Sequence, residues 1–435
     1  MERLNVWYER EHVGTFRKEG DLVSFAYDEG FDAFPISLSL PLGGGWPESA
    51  PLAFLENLLP EDGNARLRQK IALDAPTDGA FDLLNRVDSA GGRVFSKGDE
   101  PYWEAPATVE PAYPDQIEAR IAECETSCRD SWWPKTDERA RFSLAGSQSK
   151  FSLARVGDAW LWPSATLPST HIIKPGVRQV PHSVEVECAS MTLAGRCGLS
   201  VPDHGVFEVG SHRAYVVERF DRVMGPDGMP RRLRVEDLTQ AMGLSHRDKY
   251  DVEIPDVVSL LRRVDPTDGL AHSWLRQVML NMSVGNYDAH AKNYSLMLSP
   301  DGVSLCPMYD VLVTACWPQF DRYLAMPLGD DEIWMSDGVT PEAWDAEARL
   351  CGLDADRVVH DARLIAGRVL AYAPDVLKAL PAALRDEALR GIAAANGHVS
   401  PIYPSEDRPL HAPGHVRPDR DARYRDEPAG GLGPI

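Results

Sequence analysis

Three residues near the middle of the chain have the types and spacing that phosphoryl transfer requires. In Gly285-Asn-Tyr-Asp-Ala-His-Ala-Lys-Asn-Tyr-Ser-Leu-Met-Leu298, Asp288 stands five residues before Asn293. Asp310, in Pro307-Met-Tyr-Asp-Val311, stands seventeen residues after Asn293. One Asp can accept the proton of an attacking hydroxyl, an Asn five residues on can hold a metal, and a later Asp can hold the metal that bridges the phosphates of ATP. The protein does little covalent work in such a transfer, so oxygens positioned around Mg²⁺ are most of the catalyst. The spacing alone is common, and Asp, His and Asn near a helix end often only cap or turn.

The flanking elements add specificity. Trp274-Leu-Arg-Gln-Val-Met-Leu-Asn-Met282 has the apolar spacing of a buried helix and runs into the polar loop. Tyr294–Leu298 reads as a short strand, Asp301-Gly302 as a hairpin turn, and Val303–Tyr309 as the returning strand that delivers Asp310 at its end. Helix, polar loop and hairpin follow in the order that protein kinases use.

Upstream, such a site needs a phosphate loop and a lysine. Arg141-Phe-Ser-Leu-Ala-Gly-Ser-Gln-Ser-Lys-Phe-Ser-Leu-Ala154 is strand-like, broken at Ala145, Gly146 and Ser147. Small residues there let backbone N–H groups approach a phosphate, and they suit an ordinary hairpin turn equally. In Thr170-His-Ile-Ile-Lys-Pro175, Lys174 is the one charge in a buried strand. Buried lysines need partners, and the α- and β-phosphates of ATP are natural ones. Glu187, on a helix expected over Ser183 to Arg196, can pair with Lys174 or be a solvated carboxylate. Ala214-Tyr-Val-Val-Glu-Arg-Phe-Asp221 fits a hinge whose backbone reads adenine, and equally an edge strand.

In this order, the pieces resemble the HipA family of bacterial serine/threonine kinase toxins over about residues 1–395. The matching stretches include Pro35-Ile-Ser-Leu-Ser-Leu-Pro-Leu42, Phe54-Leu-Glu-Asn-Leu-Leu-Pro60, Phe81-Asp-Leu-Leu84, Phe142-Ser-Leu-Ala-Gly-Ser-Gln-Ser-Lys150, His171-Ile-Ile-Lys174, Val217-Glu-Arg-Phe-Asp-Arg222, Glu236-Asp-Leu-Thr-Gln240, Asp288-Ala-His-Ala-Lys-Asn293 and Met308-Tyr-Asp-Val311. The resemblance implies an α+β fold: a protein-kinase-like two-lobed core with an N-terminal β-rich and helical subdomain. It implies Asp288 as the catalytic base, with His290 beside the transferred group, and Asn293 and Asp310 on Mg²⁺. Lys174 would contact the phosphates of ATP, Glu218 and Phe220 would meet adenine through their backbones, and Asp221 would lie near the ribose. Ser143 falls where members autophosphorylate and switch themselves off. The implied partners are a HipB-like helix-turn-helix antitoxin dimer, operator DNA through that antitoxin, and a protein substrate of the aminoacyl-tRNA synthetase class. Two positions depart from the family: Ala289 replaces the usual Gly, which is expected to alter the turn, and Val235 replaces a polar residue that could touch the ribose.

Composition is consistent with a cytoplasmic enzyme. Of 435 residues, 43% are hydrophobic, enough for two or three core-bearing units. No apolar run reaches the ~20 residues needed to span a bilayer, and Met1-Glu-Arg-Leu-Asn-Val-Trp-Tyr8 starts as a strand rather than a signal peptide. Seven cysteines with no Cys-x-x-Cys pair read as reduced thiols. A net charge of −21 argues against the whole molecule tracking nucleic acid. The expected organisation is an N-terminal subdomain over 1–130, a strand-rich lobe over 131–222, a helical lobe over 223–400 and a disordered tail over 401–435. Within the first, residues 2–45 read as an antiparallel sheet, and Pro51–Leu59, Asn64–Ile71 and Ala80–Val87 as helices. The Leu38, Leu40 and Leu42 stripe reads as core, and Pro101 to Pro114 as a linker. Two other functions stay open: a catalytically weak kinase-fold co-repressor, and a small-molecule kinase.

Overall fold

The computed structural model describes residues 1–61, 63–99, 103, 109–126, 142–143, 149–320, 322–329 and 333–400. The expected phosphate turn at 145–147, half of the expected linker, Cys128 and the tail after 400 lie outside the described residues. The fold is mixed helix and sheet, as expected. The chain divides into two compact units. The first comprises Met1–Val184, Pro202–Lys249 and Ser295–Cys306, and the second Glu185–Val201, Tyr250–Tyr294 and Pro307–Ile435.

The first unit opens with an antiparallel sheet. Strands Glu2–Tyr8, Glu11–Glu19 and Leu22–Tyr27 follow one another, and Arg93–Ser96 joins the free edge of the first. Their period-2 alternation puts Leu4, Val6, Phe16, Val23 and Phe25 on one face, and Val13 joins the same core where the register shifts between Val6 and Trp7. The helix Ala50–Glu56 covers that face, with Phe54 parallel to Phe16 at a ring separation of 5.9 Å. Two expectations need correcting here. The leucine stripe is not a strand: Ser37 and Leu40 bridge each other across a turn, so Leu40 is buried while Leu42 is 36% exposed. The helix expected over 80–87 stops at Leu83, because Arg86 adopts a left-handed backbone with φ 58° and Asp88–Ser89 turns into a short strand.

A six-stranded antiparallel sheet carries the lysine. Its order is His204–Val209, His212–Glu218, His171–Pro175, Phe151–Val156, Ala159–Trp162 and Glu110–Pro111. The last strand comes from the expected linker. Pro111 can pair with Leu161 only because it lies at the sheet edge, where a missing N–H breaks no ladder. Helix Pro114–Thr126 packs Ile117, Ile121 and Cys124 onto Phe151, Leu153, Ile173 and Ala214. A third sheet in this unit pairs Arg234–Asp237 with Ser295–Ser299, and Ser295–Ser299 with Gly302–Leu305.

The second unit is mainly helical. Its helices are Ile254–Val264, Gly269–Val284, Pro341–Leu350, Ala355–Val376 and Ala382–Ala395, together with the body of Ser183–Arg196. Gly269–Val284 is buried almost all round, polar His272, Gln277, Asn281 and Ser283 included, and from Trp274 to Val284 only Arg276 is not buried, as befits the central helix of a unit. Among the described residues no helix is long and apolar enough to cross a membrane, and the six cysteines described there are all free.

Candidate active site

The central helix of the second unit ends at Gly285, whose φ of 72° closes the last turn. Chain reversal there puts the next residues under a net of side-chain bonds. Thr314 donates its hydroxyl to the Gly285 carbonyl (2.8 Å) and accepts from the Tyr287 N–H (3.1 Å). The Asn286 amide donates to Asn281 Oδ1 (2.9 Å) and to the Asp310 carbonyl (3.3 Å). Asn281 in turn donates to the buried Tyr294 hydroxyl (3.1 Å). The loop is thus pinned to the helix behind it and to the segment that carries Asp310.

Three of the residues singled out by spacing converge in this loop. The Asp288 carbonyl accepts from the His290 N–H (2.9 Å), and the Asn293 side-chain oxygen accepts from that same N–H (3.2 Å). Asn293 Nδ2 lies 3.4 Å from Asp310 Oδ2. Asp310 has φ 54°, a left-handed conformation that Asp tolerates better than most residues. The strand expected to deliver Asp310 ends earlier, at Leu305, because Pro307 has no N–H to continue a ladder. Instead the Met308 N–H donates to the Ser200 carbonyl (2.8 Å) and Tyr309 donates its hydroxyl to the Lys292 carbonyl (2.6 Å). Ala289 is buried and stays out of the left-handed region, so its methyl group costs the turn no backbone strain.

Tyr250 was not anticipated. Its hydroxyl donates to Asp288 Oδ1 at 2.5 Å, and its ring meets His290 edge-on at 4.9 Å. Nothing in the local spacing points from residue 250 to residue 288. Glu187, expected either to pair with Lys174 or to be solvated, is 6% exposed within the second unit, so a solvated helix face is excluded.

The first unit holds the other expected residues. Lys174 sits on an interior strand, is buried, and has Nζ 5.8 Å from the centre of the Tyr215 ring. The expected hinge strand is also interior, between its two neighbours, and not an edge. Glu218 ends it with an exposed side chain, and Phe220 is half-buried. Ser143 belongs to a two-residue strand whose backbone pairs in parallel with Asp88–Ser89. Val235 pairs with Met297, and its carbonyl accepts from Arg93 Nη1 (2.7 Å).

Asp221, expected near a ribose, is buried among arginines. Its carboxylate accepts from Arg219 (2.8 and 2.9 Å), from Arg222 (2.8 Å) and from the Gly91 N–H (3.2 Å). Burial alone would raise its pKa, but the two guanidiniums and that N–H hold it well below the usual carboxylate range. The carboxylate thereby ties the chain around Phe220 to the Gly91 turn. The same arginines, joined by Arg232, also surround the fully buried Asp88. That network was likewise not anticipated.

Among the described residues no three His, Cys, Asp or Glu side chains gather as a metal site. Asn293 and Asp310 together fit a different demand. One carboxylate and one amide oxygen suit a hard cation that keeps water and phosphate oxygens as its other ligands. The amide now turns its nitrogen to Asp310, so offering its oxygen beside that carboxylate requires a flip that gives up the His290 N–H.

The chain matches known proteins over most of its length. Residues 4–92 match the HipA N-terminal domain and residues 142–375 the HipA-like C-terminal domain. The chain is 33% identical over 345 residues to a putative kinase, Y4mE, of Sinorhizobium fredii, covering 75% of this chain and 80% of that protein. It is 30% identical over 390 residues to the serine/threonine-protein kinase toxin HipA of Shewanella oneidensis, covering 84% of this chain and 86% of that one. A solved complex of Shewanella oneidensis HipA, HipB and operator DNA aligns with a TM-score of 0.76 and 26% identity, over 91% of this chain and 97% of that chain. Both domains, in the family's order and over most of the chain, place it in the HipA family of serine/threonine kinase toxins.

Proposed function

We propose that the chain is an ATP-dependent serine/threonine protein kinase that acts as the toxin of a toxin–antitoxin pair. The observation that supports this most directly is the convergence of Asn293 and Asp310 in the loop that also carries Asp288. In this reading Asp288 accepts the proton of the substrate hydroxyl as its oxygen forms a bond to the γ-phosphorus, and the bond to ADP breaks. The Tyr250 hydroxyl holds one oxygen of Asp288 in place. Lys174 neutralises the α- and β-phosphates, with Glu187 as its partner, and His290 lies beside the transferred group. Asn293 and Asp310 would hold Mg²⁺, whose charge would offset that of the phosphate oxygens. The small-residue turn at Ala145, Gly146 and Ser147 covers the phosphates, while the backbones of Glu218 and Phe220 receive adenine.

Self-inactivation follows from charge. A phosphate on Ser143 would add about −1.5 to −2 charges beside a turn meant for ATP phosphates. The substrate class is an aminoacyl-tRNA synthetase, whose modification would halt translation and promote growth arrest. The Shewanella relative is seen with HipB and operator DNA. By extension, a HipB-like helix-turn-helix dimer binds this chain and carries the DNA contact.

The test is calorimetric titration of ATP with Mg²⁺ into wild type, Lys174→Ala and Asp310→Ala, beside label transfer from ATP to a lysate by wild type and Asp288→Asn. Lys174→Ala should weaken binding, Asp310→Ala should remove its Mg²⁺ dependence, and Asp288→Asn should lose about a thousandfold or more in rate while remaining folded. A folded Asp288→Asn protein that labels at the wild-type rate would sink the assignment.

A further inference from the structure

Asp88 lies in the N-terminal domain, far in sequence from every residue given a part in the reaction, and it is fully buried. Such a carboxylate persists only where several donors compensate it. One oxygen accepts from Arg222 (3.0 Å) and from Arg232 Nε and Nη2 (3.1 and 3.0 Å). The other accepts from the Ser169 N–H (2.9 Å) and hydroxyl (2.7 Å), with Arg219 Nη1 3.7 Å away. Burial would raise its pKa, and the surrounding guanidiniums with Ser169 reverse that and keep it ionised.

Three of these donors, Ser169, Arg219 and Arg222, lie on or beside segments assigned to the nucleotide. Ser169 immediately precedes Thr170 and the Lys174 strand, and its oxygen also accepts from Arg219 (2.9 Å). The Arg219 N–H donates to the Thr170 carbonyl (2.8 Å). Arg219 and Arg222 flank Phe220 and share the Asp221 carboxylate. The Ser89 carbonyl, next in the chain, accepts from Arg222 (3.2 Å). Two chain segments, one leading to the phosphate lysine and one carrying the adenine backbone, are therefore fixed to one carboxylate.

Resting on the kinase reading above, we propose that Asp88 is a positioning residue for the nucleotide. It sets the spacing between the Lys174 strand and the Glu218–Phe220 segment. The N-terminal domain thereby tunes ATP affinity without touching ATP. Without that charge, three guanidiniums would face the single carboxylate of Asp221, and the Phe220 corner would have to move to relieve their repulsion.

Full-length wild type, Asp88→Asn, Ser169→Ala and Val13→Ala are compared by thermal melting, ATP calorimetry and steady-state label transfer. Val13 is a core residue of the N-terminal sheet outside the network, so its truncation reports destabilisation alone. Asp88→Asn should raise both Kd and KM for ATP about tenfold or more with kcat changed by less than about threefold, the signature of lost ground-state binding. Ser169→Ala keeps every charge and should weaken ATP about threefold. It carries the test if Asp88→Asn fails to fold. Val13→Ala should lower the melting temperature and leave ATP affinity alone. Wild-type ATP affinity in folded Asp88→Asn, or in Ser169→Ala, would overturn the proposal while leaving the kinase reading intact. An equal loss in Val13→Ala would reduce Asp88 to a stability residue. A wild-type protein that binds no ATP would instead remove the kinase reading, and this inference with it.

Discussion

Tyr250 reaches Asp288 from thirty-eight residues away, and its hydroxyl is the donor that fixes one carboxylate oxygen. A hydrogen bond to a charged group is worth about 1.5–3 kcal/mol, so Tyr250→Phe should slow label transfer about ten- to a hundredfold. KM for ATP should not change, since the ring and its contact with His290 remain. An unaltered rate would reduce Tyr250 to a packing residue. Glu236 offers a separate test by pH. It is fully buried, and burial pushes its pKa up to about 7 against the opposing pull of Arg93, the Ser37 hydroxyl and the Leu38 N–H (2.9 Å). The folded state then binds this proton more tightly than the unfolded chain. The group's contribution is complete below the unfolded value of 4.5 and is lost as pH rises through 7. The loss is roughly 3 kcal/mol from a shift of that size. Glu236→Gln cannot ionise, so its stability relative to wild type should climb between pH 5 and pH 8 in urea melts. A difference independent of pH would show that Glu236 does not titrate there.

At the scale of elements, much of the architecture was legible because local chemistry and packing agree. Ser183–Arg196 forms the expected helix, and the Asp301-Gly302 turn closes the expected hairpin. Failures came where a backbone conformation had to be known first. Arg86 and Asp310 both adopt positive φ, which residue type alone does not announce. The leucine stripe failed because period 2 was read through a segment that bends at Ser37–Leu40. Gly285 is the converse, a glycine whose conformation the sequence makes plausible. At φ 72° an added Cβ would also lie 3.3 Å from the Ala315 Cβ. Gly285→Ala should therefore cost about 1–2 kcal/mol, from left-handed strain with some crowding. Thermal or urea unfolding measures it, and a neutral substitution would mean that the helix end relaxes freely.

The whole molecule carries a net charge of −21. A surface of that sign repels the DNA backbone, so the chain alone should bind operator DNA weakly at physiological salt, where nonspecific electrostatic binding fades steeply. Adding the antitoxin should make binding tight and sequence-specific in a gel-shift series. Specific operator binding by the chain alone would overturn that division of labour. So would failure to co-purify with the product of an adjacent short reading frame.

The sequence by itself made the candidate site loop legible. Asp288, Asn293 and Asp310 lie within one short stretch, and the helix end at Gly285 and the turn after it bring Asn293 to Asp310, while Tyr250 and Ser200 hold the loop from farther away. Tertiary structure alone decided what the buried charges do. A carboxylate taken out of water must find donors wherever the fold offers them, and that search carries no periodicity. Hence Asp221, which reads as a ribose contact beside the hinge, is taken up by Arg219 and Arg222, and Asp88 gathers arginines from more than a hundred residues away.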